Sequence, residues 1–160
     1  MSLQDAFVWL GESAPGRFLA GSTPAFAATE SLHILSFGIL GGAFLALDLA
    51  ALGFVFRKSD LLGTAKLLFP IFVAALVGAA ITGILLVAAG PMKYYTNALF
   101  PWKLATLLAA LLIHLSIYPG LTLLRQDGAA LIRPLGVVLG AISLLLWFTV
   151  AVLGRWLGLI

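Results

Sequence analysis

The chain has 160 residues, 62% hydrophobic and 9% charged, with a formal net charge of +3. A soluble domain runs at roughly 45–50% apolar and about 25% charged, so this composition describes a protein whose solvent is lipid. The absence of cysteine excludes disulfides, thiolate metal sites, iron–sulfur ligation and thioether-attached c-type haem, and so few basic groups suit membrane edges, not nucleic acid.

The opening MSLQDAFVWLGE lacks a basic stretch followed by a long apolar core, so it predicts a retained N-terminus and no cleaved signal. Ser2 and Asp5 predict an N-cap and an acidic first turn, and Leu3, Phe7 and Leu10 fall on one helix face. Ending at Gly11, this helix is too short to cross a bilayer. It predicts either an interfacial amphipathic helix or a short helix packed on the ends of the others. Residues 12–23 read as a Gly/Pro/Ser-rich connection.

Thr23-Pro24 signals the first span, about residues 24–56, which stops at the RKSD of 57–60. Asp60 caps a second span, about 61–89, ending at Gly90-Pro91. Tyr94, Tyr95 and Phe100 in the loop beyond it suit the headgroup level. Pro101-Trp102 opens a third span, about 101–124, and Pro134 a fourth, about 134–157. Each is longer than the ~20 residues that hydrocarbon requires. The expectation is an all-α fold: one membrane domain over 1–160, an up-down four-helix bundle with a short N-terminal interfacial helix. Arg57, Lys58, Arg125 and Arg133 on one side, against Arg17 and Lys93 on the other, place both termini outside the cytoplasm. Small residues recur at Gly38, Gly42, Ala46 and Ala50, and at Ala74, Gly78 and Thr82. Such stripes serve helix packing within the bundle or a homo-oligomer.

Ionisable groups inside spans are costly and ask for partners. At about 100° per residue, Glu30 and Asp48 each lie about 60° from His33, on one face of the first span. Asp48 and Lys66 flank the 57–60 turn at comparable distances, which predicts an internal ion pair. Lys103 precedes His114 by eleven residues, within about 20° of the same face and about 16 Å along the axis. His33 and His114 are the two histidines of the chain, on different spans. Imidazoles on facing helices can hold one b-type haem. Hydrogen-bonded structural histidines are an equal alternative, and proton chemistry is a third. Counted from the opening prolines, His33 is nine residues in and His114 thirteen. From the inner ends the counts are 24 from Arg57 and 11 from Arg125, so one iron needs the first helix to protrude. Lys103 and Arg155 are the cations expected to face haem propionates, with snorkelling to the headgroups as the alternative.

The stretches LQDAFVWL, ESLHILSFGILGGAFLALDLAALG, PWKLATLLAALLIH and GRWLG resemble a poorly characterised group of small bacterial four-helix inner-membrane proteins. That group often carries an arginine soon after the aspartate of the first span. Here the sequence is Asp48-Leu49-Ala50-Ala51, which removes a local Asp–Arg pair. More distantly the arrangement is similar to membrane b-type cytochromes and to four-helix membrane protoporphyrinogen oxidases. The resemblance implies haem or porphyrin handling in a bacterial inner membrane. The leading expectation is therefore electron transfer through one haem b bound by His33 and His114, with quinol, another redox protein or a membrane-complex subunit as partner. A non-catalytic membrane subunit with structural histidines is second. A proton-coupled transporter using Glu30, His33, Asp48 and Lys66 is third, against the scarcity of polar groups and the lack of an inverted repeat. An oxidase would need an electron acceptor, and no nucleotide-binding glycine motif is present.

Overall fold

The computed structural model describes residues 2–51, 61–126 and 132–159. Residues 52–60, with the expected end of the first span, Arg57, Lys58 and the Asp60 cap, lie outside the described residues. So does the turn at 127–131. Among the described residues there are seven helices and no strand.

Helix α1 (Leu3–Glu12) opens with a reciprocal cap. Ser2 Oγ accepts from the Asp5 N–H at 3.1 Å, and Asp5 Oδ2 accepts from the Ser2 N–H at 2.7 Å. The Ser2 backbone N–H, and after it the Ser2 hydroxyl, hold the Asp5 carboxyl below its ordinary 3.8. A lowered folded value means that the cap contributes above pH 3.8 and is lost as pH falls through the folded value. Hydrogen exchange at the α1 amides, corrected for intrinsic rates, is expected to quicken in that acid window. The same acid response in Ser2→Ala would rule the cap out as its cause.

Residues 14–20, expected as connection, form a further helix, α2 (Ala14–Ala20). Ser13 Oγ accepts from Gly16 N–H at 3.2 Å and donates to the Leu10 carbonyl at 2.6 Å. A serine cap with proline in the first turn starts a helix here as well as at Thr23-Pro24, outweighing the breaker character of Pro15 and Gly16. The long helices are α3 (Thr23–Ala51), α4 (Leu61–Ala89), α6 (Leu99–Gln126) and α7 (Ile132–Leu159), with the short α5 (Pro91–Tyr95) between α4 and α6. Helix α6 begins before Pro101 because the Asn97 carboxamide accepts from the Leu99 N–H at 2.9 Å and caps the turn. Pro101 then sits in the first turn, where its missing N–H costs nothing.

Three stretches are long and apolar enough to cross a membrane: Thr23–Leu49, Lys66–Ala89 and Val137–Leu159. A shorter apolar stretch covers Leu99–Leu115 of α6. Leu67 is 72% exposed, Phe148 71% and Ile34 61%. Side chains of that size left open along long helices fit a lipid solvent and not water.

The chain divides into two compact units, Met1–Leu40 with Phe72–Phe100, and Gly41–Ile71 with Pro101–Ile160. In the first unit α1 packs on α2 and α5. The Phe7 ring lies 5.5 Å from that of Tyr95 and 6.3 Å from that of Phe100. A Cβ at Gly11 would stand 2.6 Å from Pro91 Cγ, and one at Gly16 would stand 2.8 Å from two backbone carbonyls, so this packing requires glycine at both. Trp9 and Leu3 remain 67% and 70% exposed. Helix α1 is therefore packed through Phe7, as the second of the two expectations has it, and leaves Leu3 and Trp9 open. The second unit buries Ala43, Phe44, Leu47, Ala110, Val150 and Leu157. It also buries three polar side chains: Asp48, His114 and Ser143.

Candidate functional site

In the second unit α3 supplies Phe44 and Asp48, one turn apart and so on one face. Helix α6 supplies His114, and α7 supplies Ser143 and Trp147. Asp48 is 1% exposed, Ser143 0% and His114 5%. Ser143 Oγ donates to Asp48 Oδ2 at 2.8 Å. His114 Nδ1 lies 3.4 Å from Ser143 Oγ and 3.8 Å from Asp48 Oδ1. The one hydroxyl proton of Ser143 is spent on the carboxylate, so its oxygen can only accept from the imidazole. Carboxylate and hydroxyl together assign the proton of a neutral His114 to Nδ1 and the lone pair to Nε2.

Aromatic packing closes this cluster. The Phe44 ring stands edge-on to the imidazole with centroids 3.8 Å apart, and stacks on Trp147 at 4.0 Å and 24°. Trp147 Nε1 is enclosed and finds no hydrogen-bond acceptor among the described residues. A buried N–H left so costs about 1–3 kcal/mol. Beside it runs an open apolar groove of about 440 Å³, lined by Gly41, Leu45, Leu144, Leu145, Trp147 and Phe148.

The first unit carries the other imidazole. His33 Nδ1 lies 2.9 Å from Thr82 Oγ1, and Thr82 Oγ1 donates to the Gly78 carbonyl at 2.6 Å. The same logic applies: the Thr82 proton is spent on the backbone, so Thr82 accepts from Nδ1–H and the lone pair again falls on Nε2. Gly83 makes room for the ring, because a Cβ there would stand 3.1 Å from His33 Cε1. Gly83→Ala is expected to push the imidazole off Thr82 and destabilise the protein by about 1–3 kcal/mol, the usual range for overpacking. Thermal unfolding in detergent checks this, and unchanged stability would mean that the ring moves freely. Glu30 is half-buried on α3. Burial first, and the Glu30 charge second, push the Tyr94 phenol above its ordinary 10.0.

The structure thus gives Asp48 a serine partner and a nearby histidine, and leaves Lys66, its expected ion-pair partner, exposed. At the start of α6, Lys103 lies against α7 at Gly154, and Arg155, the next residue of α7, is exposed. A Cβ at Gly154 would lie 3.4 Å from Lys103 Nζ, so the glycine leaves room for the lysine against α7. Sequence reasoning missed Ser143 altogether and read Thr82 only as a small residue. The available signal was a hydroxyl inside an apolar span, in phase with residues the helix buries. Ser143 and Val150 are seven apart, and both are buried.

The chain belongs to a family of unknown function, DUF6644, the match covering residues 6–160. No curated protein and no solved structure matches the chain.

Proposed function

Because membership of that family brings no activity with it, we propose from the buried groups that the protein is a b-type cytochrome-like electron carrier of a bacterial inner membrane. In this reading four helices, α6 included, cross the membrane, with both termini on the outer side. The carrying observation is the hydrogen bonding of the imidazoles: each spends Nδ1–H on an oxygen whose own proton is already committed. Metal-bound histidines are oriented in this way, the second nitrogen donating to a carboxylate or other oxygen while the first keeps its lone pair for the metal. The absence of cysteine leaves imidazole as the natural iron ligand of this chain. The reading commits first to His114 as an axial ligand of haem b. His33 is the second imidazole, and the unequal depths counted from the inner ends are why its part needs a separate test. The groove beside Trp147 offers apolar walls for a planar ring. Quinol or another redox protein would supply or take the electron.

The test is the absorption spectrum of the purified protein, oxidised and then dithionite-reduced, after expression with ample haem. A Soret band with sharpened reduced bands is expected, and a colourless protein would sink the reading. One observation favours a second reading, a membrane subunit with structural histidines: the Asp48–Ser143–His114 cluster is already hydrogen-bonded and closed by Phe44. That reading expects the colourless result.

A further inference from the structure

We propose that α2 is a membrane-immersed foot of the first unit: Phe18, with Ala14 and Pro15, sits among lipid acyl chains, while Trp9 of α1 rests at headgroup depth. This does not depend on haem. Two attachments fix the level of α1 and α2. Only Gly21 and Ser22 separate α2 from α3, whose apolar stretch begins at Thr23. Two extended residues reach about 7 Å at most, so α2 ends beside the start of that stretch. On the other side, a Cβ at Gly16 would stand 3.0 Å from the Ala88 carbonyl oxygen, and one at Gly11 2.6 Å from Pro91 Cγ. These contacts seat the two short helices on the end of the Lys66–Ala89 stretch. Both are therefore held where two lipid-solvated stretches end, and that continuity names lipid as what covers their open side. The two helices open different chemistry to that level. In α2, Gly16 and Leu19 are buried, and Ala14, Pro15 and Phe18 are exposed, Phe18 at 65%. Ala14 and Pro15 lie one turn before Phe18 and share its face, while the adjacent Arg17 guanidinium donates to the Glu12 carbonyl. A phenyl ring with small apolar neighbours gains from immersion of about 5–10 Å, the depth of an interfacial helix face. In α1, Trp9 is 67% exposed, but Asp5 stands one turn before it and Glu12 one turn after, both exposed. Two carboxylates keep that face out of hydrocarbon, and an indole between them suits the headgroup level.

The chain has no cysteine, so a single introduced thiol can carry a nitroxide label without competition. The full chain bearing Phe18→Cys, Ala14→Cys or Trp9→Cys is labelled and placed in vesicles of phosphatidylcholine with phosphatidylglycerol. The collision rates of each label with oxygen and with a water-soluble nickel chelate are then measured. Oxygen concentrates in hydrocarbon and the chelate in water. Access to oxygen is expected to exceed access to nickel severalfold at positions 18 and 14, and the two to be comparable at position 9. The label at 14 leaves Phe18 in place, so a shift of α2 caused by removing the phenyl ring cannot pass for its native depth. Nickel access dominating at 18 and 14 would overturn the proposal, because α2 would then face water. Low access to both probes there would overturn it in favour of a covering protein surface, from a second copy or another subunit. Equal depth at 9 and 18 would overturn the part assigned to Asp5 and Glu12.

Discussion

His114→Ala is expected to abolish the Soret absorbance of the haem-supplied protein, or to convert it to a weak, high-spin form. The imidazole is 5% exposed and oriented through Nδ1 by Ser143 and Asp48, and alanine offers iron nothing in its place. His33→Ala separates the two ways of building the site. Loss of low-spin character in both variants means one iron shared by two histidines. Loss in His114→Ala alone means that His33 is held by Thr82 for structural reasons and that iron takes another second ligand. A normal low-spin spectrum in His114→Ala would refute the proposed function at its first commitment. Because removing His114 also disturbs a packed cluster, each variant needs a stability measurement beside its spectrum.

The second large effect concerns Asp48. Asp48→Ala removes the acceptor of the Ser143 hydroxyl in a place with 0–1% exposure. A buried hydroxyl left unsatisfied costs on the order of 1–3 kcal/mol, and the loss of a hydrogen bond to a charged group falls at the upper end. Lower thermal stability in detergent is expected, with Asp48→Asn losing less because its carbonyl still accepts from Ser143. If His114 holds iron, Asp48→Ala should also weaken haem retention by roughly 10–100-fold, the usual effect of removing a group that orients a metal-bound histidine. Ser143→Ala should do the same with a smaller loss of stability. Full haem retention in both variants would show that the cluster packs the helices and does not tune a ligand.

Much of the fold is legible in the sequence because membranes enforce a coarse rule. A stretch such as residues 61–89 has to be helical, since only a helix satisfies its own backbone in hydrocarbon. The starts at Ser2 and Thr23-Pro24 are also local, set by caps and prolines within one turn, whereas α6 begins two residues before Pro101, where Asn97 caps the turn. Helices α2 and α5 were harder, because Pro15, Gly16 and Pro91 signal both breaks and helix starts. Hydrogen bonds such as Ser13 to Gly16 decide between the two.

The candidate site divides in the same way. His33, His114 and Asp48 stand out in the sequence because ionisable groups in lipid are costly wherever they sit. Their partners do not. Lys66 is a better electrostatic match for Asp48 than Ser143 is, yet Asp48 faces α7 and Lys66 stays exposed. Residues 95 apart in the chain meet only when α3 and α7 pack, and no periodicity within either helix specifies that. The sequence by itself determined the helical, lipid-solvated class, the helix starts and the identity of the costly polar groups, because each follows from local chemistry or from the solvent. Only the tertiary structure decided that Ser143 and Thr82 hold the imidazoles, that Phe44 packs edge-on against His114, and that Lys103 lies against Gly154. Those choices depend on which faces meet, and neighbouring helices set that, not neighbouring residues.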